Sequence, residues 1–285
     1  MTARQPGVDT DPIAMWSPAL ARGLIRDEIM RSMCYRDGYT DLIGYRDPPR
    51  HGSVQEVVSA TVASISERVW RSLIRALLRI AGVPIPVARQ WVGTAVRIGG
   101  KERVLDVACG PGHDTAFLAG QLDGSGFVIG VDASAPMMRR AVRANSGPRA
   151  VYMRADTRSL PFNDGAFDVV FCLAGLHMSA EPMAVLHEMV RVLAPGGRIA
   201  VFTSYGGQSV LARKGIELAA AICGVRVFDR TTIPAFLRAA GLMDIEQHLR
   251  GVSQFVSARW PELPAELNQG RTRSTVPSAR WRPAG

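Results

Sequence analysis

The side chains placed to do chemistry are three aspartates, Asp106, Asp132 and Asp156, a Gly110-x-Gly112 turn and His177. Glycine has no Cβ, so Gly110 and Gly112 allow a tight turn and let a ligand approach the backbone. Asp106 lies four residues before Gly110. A carboxylate there would repel a pyrophosphate and attract a cation. Asp132 follows Gly112 by 20 residues, a spacing at which an acidic group can accept hydrogen bonds from both ribose hydroxyls of an adenosine. His177 is the side chain in its segment whose ordinary pKa suits proton removal near neutrality, from a phenol, enol or amine. His113, beside the glycine turn, reads as a contact to solvent or to a lid.

These residues need elements to hold them. Val104 to Val107 reads as a buried parallel strand, and Asp114 to Leu118 opens a helix. Phe127 to Asp132 reads as a second buried strand and Ala150 to Asp156 as a third, each ending in an aspartate. Ser134 and Pro136 open a second helix. Phe167 to Phe171 is a fourth strand, ending at Cys172-Leu173-Ala174-Gly175-Leu176-His177. Pro182 to Leu193 is helical, and Pro195-Gly196-Gly197 forms a turn into a fifth strand. Further on, 206–222 reads as a helix. Pro234 to Ala240 is another, capped by Thr231 or Thr232 and closed by Gly241. Residues 244–249 and 253–258 look like a closing strand pair. Alternating strands and helices imply an α/β fold with ligands at the carboxyl ends of the strands.

The run Val104-Leu105-Asp106-Val107-Ala108-Cys109-Gly110-Pro111-Gly112 resembles the S-adenosylmethionine (SAM) loop of class I methyltransferases. Thr115 stands where a dinucleotide fingerprint has its third glycine. Thr115 and Asp106 both speak against a nicotinamide-binding reductase. Leu160-Pro161-Phe162-Asn163-Asp164-Gly165-Ala166-Phe167-Asp168 resembles the LPF-x-D-x-x-FD segment of ubiquinone/menaquinone-type small-molecule methyltransferases. Arg191-Val192-Leu193-Ala194-Pro195-Gly196-Gly197-Arg198 is similar to that family's RvL-x-PGG-r turn. The likeness covers about residues 95–260.

The resemblance implies a Rossmann-like class I sheet, mostly parallel with an antiparallel edge strand, helices on both faces and an N-terminal helical lid. It implies SAM as cofactor and S-adenosylhomocysteine (SAH) as product. Asp106, Ala108, Cys109, Gly110 and Gly112 would form the loop around SAM. Asp132 and Ala133 would hold the ribose, and Met137 would pack on the adenine. Asp156 would accept the adenine amino group, the Thr157 amide would reach a ring nitrogen, and Leu173 would lie beside the methyl. Enzymes that methylate amino groups of DNA bases carry (Asp/Asn)-Pro-Pro-Tyr at that last position. Leu173-Ala174-Gly175 offers no such side-chain acceptor.

The 285 residues suit one domain with an appendage. The expected division is a helical extension or lid over 1–95, the SAM-binding domain over 96–260 and a disordered tail over 261–285. In the extension, Leu24, Ile25, Ile29, Met30 and Met33 have helical spacing over 21–35, and Asp37-Gly38 marks a turn. Arg36 to Ile43 resembles the end of the zinc-ribbon leader before some bacterial methyltransferase domains. Only Cys34 remains of that leader's paired cysteines, so no metal is expected. Ser53 and Glu56 make a capping box for a long helix that Gly82 and Pro84 stop. Arg68, Arg71, Arg75 and Arg79 form a stripe on it that reads as a solvated face or as a contact to acidic lipid or phosphate. Residues 85–98 form one more helix. Tyr45, Trp70 and Met33 could line an acceptor pocket from the lid.

Net charge is +9, and Lys101 and Lys214 are the only lysines. Arginine bias explains the charge as well as an anionic partner does. No apolar run reaches the roughly 18 residues that span a bilayer, and the start lacks a secretory core, so a cytoplasmic protein is expected. The activity expected is methyl transfer from SAM to a small hydrophobic acceptor, quinone-, polyketide- or lipid-like. The alternatives are a ribosomal or transfer RNA acceptor, or SAM binding without catalysis. Oligomeric state is left open.

Overall fold

The computed structural model describes residues 23–43, 85–207, 214 and 226–262. The strands are β1 (Cys34–Arg36), β2 (Tyr39–Asp41), β3 (Arg103–Val107), β4 (Phe127–Asp132), β5 (Ala150–Arg154), β6 (Phe167–Leu173), β7 (Leu193–Ser204), β8 (Met243–Arg250) and β9 (Ser253–Arg259). They form one sheet in the order β1-β2-β5-β4-β3-β6-β7-β9-β8. β2 to β7 run parallel, while β9 is antiparallel to both β7 and β8. The helices are α1 (Asp27–Met30), α2 (Ile85–Val96), α3 (His113–Ala119), α4 (Ala135–Asn145), α5 (Pro182–Arg191) and α6 (Thr232–Ala239), with a 3₁₀ turn at Leu176–Met178.

This is the Rossmann-like sheet the motifs imply. β3 and β4 have nearly continuous apolar burial because both their faces are covered. One cluster joins Leu105, Val107, Ile129, Val131 and Val170 with Leu186 and Met189 of α5. The opposite one joins Val104, Val128 and Phe171 with Val92 of α2, Leu118 of α3 and Met138 of α4. Chain order reverses at β3, between β4 and β6, which sets the switch point at their carboxyl ends.

The expected helix over 21–35 is corrected. Gly23 and Leu24 are helical and so are Asp27–Met30, but the helix breaks between them, where Ile25 bridges Phe162. Leu24 and Ile25 are 1% and 0% exposed, and burying each contributes about 1.5–3 kcal/mol. Cys34 to Asp41 is a hairpin whose turn residues have φ of 49° (Asp37) and 83° (Gly38), as a type I′ turn requires. A Cβ on Gly38 would lie 2.4 Å from Val142 Cγ1, so the turn sits tightly on α4.

The two family-specific stretches turn out to be one unit. Arg191 donates from Nη1 to Phe162 O at 2.8 Å and Asp164 Oδ1 at 2.7 Å, and from Nη2 to Leu160 O at 3.0 Å. Arg26 Nη2 reaches the same Leu160 carbonyl at 2.6 Å. The expected positive-φ turn at Pro195-Gly196-Gly197 is present, but inside the strand and not before it. The strand runs through it from Leu193, with a register shift against β6 and Gly196 at φ 73°. α5 ends at Arg191, before the expected Leu193, and the third strand ends at Arg154, two residues short of Asp156. The closing pair is a hairpin at the far edge, and Gly241 at φ 91° ends α6. The capping box, the arginine stripe, Tyr45, Trp70, nearly all of 206–222 and the tail from 263 lie outside the described residues.

Candidate active site

The β3–α3 loop carries the first half of the site. Ala108 has φ 59° and Gly110 φ 54°. A non-glycine residue in that region costs about 1–3 kcal/mol and persists where its surroundings impose it. Cys109 N donates to Val131 O at 3.0 Å, tying the loop to β4. A Cβ on Gly112 would strike Tyr152 Oη at 2.6 Å, whereas one on Gly110 would meet nothing within 4 Å. Gly112 is therefore required by packing, and Gly110 faces open space. Tyr152 supports the loop from below, donating to Asn145 O at 2.8 Å and Gly112 O at 3.3 Å.

Asp132 ends β4 and faces this loop. It accepts from Gly110 N and Ser134 N, both at 2.9 Å. A carboxylate offers about four acceptor positions, so two remain for a diol. Burial raises its pKa, against the amides of Ser134, Gly110 and Ala133. Asp106 is only 2% exposed and lies beneath the loop, not on its surface. Its partner is Thr115 Oγ1 at 2.5 Å, which gives a reason for threonine at the third-glycine position. Burial pushes Asp106 well above the carboxylate range; Thr115 opposes this, and the charges of Asp114 and Asp132 add to it.

The expected adenine contacts lie nearby. Met137 is 7% exposed in the first turn of α4. Asp156 and Thr157 follow β5, but the Asp156 carboxylate is held by Arg158, with Nε–Oδ1 at 3.0 Å and Nη2–Oδ2 at 2.8 Å. Burial alone would raise the Asp156 pKa, and the hydrogen bonds from Arg158 outweigh it and hold it low. Arg158 also pairs with Glu181. Sequence reasoning missed Arg158, although its place two residues after Asp156 was a signal.

The second half sits at the end of β6. Ala174 has φ 64° and donates its N–H to Phe202 O at 3.0 Å. A Cβ on Gly175 would meet that of Ala108 at 2.3 Å, so the two strained loops touch. Leu173, Ala174 and Trp91 pack against Phe202 and Phe255. Phe202 and Phe255 stack with centroids 4.7 Å apart, and Trp91 lies 4.7 Å from Phe255 at 53°. His177 Nδ1 is 3.3 Å from Thr203 Oγ1, whose residue is fully buried. Burial lowers the His177 pKa to about 4. His113 Nδ1 lies against the Asn145 side chain and the Asn145 amide donates to Pro111 O at 2.6 Å, so His113 belongs to the loop's support.

Residues 104–197 match the model of a methyltransferase domain. The demethylmenaquinone methyltransferase of Clavibacter sepedonicus is 33% identical over 167 residues, covering 51% of this chain and 67% of that protein. The chain belongs to the SAM-dependent methyltransferases. Another relative, the 27-O-demethylrifamycin SV methyltransferase of Amycolatopsis mediterranei, is 32% identical over 178 residues, 59% of this chain and 63% of its own length. The matched stretch thus spans about two thirds of each relative. Among solved structures, the [4+2]-cyclase SpnF superposes with a TM-score of 0.53 at 22% identity, over 62% of this chain and 80% of that one. That likeness is one of fold, and fold alone does not fix a reaction.

The loop of this methyltransferase fits the family's cofactor. Gly110 faces open space, with nothing within 4 Å of where a Cβ would stand, so a ligand can approach the loop backbone there. Asp132 retains acceptor positions. Asp106 and Asp132 both have pKa values raised by burial, so a cation nearby favours their ionised forms. Among the described residues, no group of His, Cys, Asp or Glu could hold a metal ion, and no helix is long and apolar enough to cross a membrane.

Proposed function

We propose that this chain methylates a small apolar acceptor bearing a planar ring, of quinone or polyketide type. The observation that carries this reading is the aromatic group of Trp91, Phe202 and Phe255 beside Leu173 and Ala174, at the carboxyl end of β6. Aromatic faces favour ring partners by about 0.5–1.5 kcal/mol per pair beyond area burial. Strand β6 ends without a side-chain acceptor for a base amine. The names of two relatives, one acting on demethylmenaquinone and one on 27-O-demethylrifamycin SV, support the same class.

When bound, SAM supplies a methyl carbon made electrophilic by its sulfonium. The cradle would hold the nucleoside through Asp132, Ala133 and Met137, with Asp156 and Thr157 at the adenine edge and the Ala108–Gly112 loop below. Leu173 and Ala174 would align the acceptor and exclude water. Such alignment can supply about 7–11 kcal/mol. His177 is neutral throughout the physiological range, because burial holds its pKa near 4. In the tautomer whose Nδ1–H donates to Thr203 Oγ1, Nε2 carries a free lone pair that would accept a hydrogen bond from the acceptor's hydroxyl and orient it, whereas a pKa near 4 makes the ring too weak a base to keep the released proton, which passes on to solvent.

The test is transfer of radiolabelled methyl from SAM into a fractionated cell extract. Label is expected in the organic-soluble fraction. Label confined to RNA would contradict the reading.

A further inference from the structure

The N-terminal hairpin ends in a buried charge. Asp41 on β2 is paired in register with Arg154 on β5, which is itself in register with Asp132 on β4. Residues in register on adjacent strands share a face, so a carboxylate, a guanidinium and a carboxylate lie in a row at the ribose end of the sheet. Arg154 Nη1 reaches Asp41 Oδ2 at 3.4 Å, with side chains only 5% and 1% exposed. Arg154 Nε donates to Ala133 O at 2.9 Å. Asp41 Oδ1 accepts from Ile43 N at 3.0 Å, and Leu42 N donates to Arg154 O at 3.0 Å.

A buried ion pair is weak support for stability, because desolvation offsets most of its attraction. Its placement suits a different purpose. Arg154 shares a row with both carboxylates, and its side chain is held on the Asp41 side, at Asp41 Oδ2 and Ala133 O. Here Asp41 holds it, while Asp132 takes the Gly110 and Ser134 amides.

We propose that Asp41 is a positioning residue of the cofactor site: through Arg154 it fixes the Ala133 backbone and leaves the Asp132 carboxylate to the ribose diol. Without Asp41, Arg154 turns to Asp132 and competes with the ribose. The inference rests on the SAM site and not on the identity of the acceptor.

The test compares SAH with its 2′-deoxy analogue by titration calorimetry on the full chain. The unaltered protein should prefer SAH by roughly tenfold or more, as expected for a hydrogen bond to a charged group. In Asp41→Asn that preference should shrink several-fold, with SAH weakened and the deoxy analogue little changed. Equal weakening of both ligands, or no change in either, would overturn the proposal. Should Asp41→Asn fail to fold, hydrogen exchange on the unaltered protein decides. SAH should slow exchange at the Leu42 and Ile43 amides, and protection confined to the β3–α3 loop and residues 133–134 would overturn it. Failure of the cofactor reading looks different, since the unaltered protein would then bind neither ligand.

Discussion

The two halves of the site are built from different materials. The cradle at β3 and β4 is made of main-chain amides, glycines and carboxylates, from the turn after β3 and from the end of β4, the next strand in the chain. The end of β6 is made of aromatic and aliphatic side chains that arrive from α2, β7 and β9. A nucleoside is recognised by fixed hydrogen-bond geometry, which backbone supplies. An apolar ring is recognised by shape and area, which side chains supply. The cradle should therefore tolerate little change, whereas under the proposed function altering the aromatic wall should change what is methylated and leave cofactor binding in place.

The largest effect that could break this contrast is at Asp132. Asp132→Ala removes two ribose acceptors and leaves the Gly110 and Ser134 amides without their partner. SAH affinity should fall by at least ~100-fold, at about 1.5–3 kcal/mol per hydrogen bond to a charged group. Calorimetry checks this, and an unchanged affinity would move the nucleoside elsewhere. Next is His177→Gln, for which kcat should drop by about 10- to 100-fold while SAH binding holds. Its pKa near 4 also predicts that the His177 ring resonances do not titrate by NMR between pH 8 and about pH 5; a midpoint near the usual histidine value would mean that the surroundings do not desolvate the ring. Trp91→Leu should raise the acceptor KM by roughly tenfold, the scale of a lost aromatic contact with its area. A parallel loss of SAH affinity would erase the distinction between the halves.

The smallest effect sharpens the cradle's charge. Burial raises both Asp106 and Asp132, so each takes up a proton as pH falls through its raised pKa. The sulfonium of SAM favours the ionised forms, and its binding therefore releases protons. The preference for SAM over SAH, which is neutral at sulfur, should shrink by a few fold from about pH 8 to about pH 5. A preference independent of pH would mean that the carboxylates do not sense the sulfur.

The same contrast explains what could be read from the sequence. The cradle was legible because strand, turn and helix are contiguous there, and a glycine turn with flanking aspartates has few other uses. β4 and β6 occupy the positions their apolar runs imply. The aromatic wall was not legible: Trp91, Phe202 and Phe255 each look like ordinary core residues, and only the sheet order brings them together. The stretch from Leu24 to Met33 misled because helical spacing does not show where a helix is interrupted: Leu24, Ile29 and Met30 are helical, but Ile25 leaves the helix to bridge Phe162. Strands of three residues, such as β1 and β2, are too short to show alternation. Asp106 was read as facing a ligand because spacing says nothing about depth, and Thr115 covers it.

The most direct test is to titrate the purified full chain with SAH and, separately, with NAD. A cradle built for a positively charged sulfur nucleoside and its product predicts saturable binding of one SAH per chain and no heat from NAD. Silence toward both SAH and SAM at millimolar concentration, or competition by NAD for the same site, would contradict it.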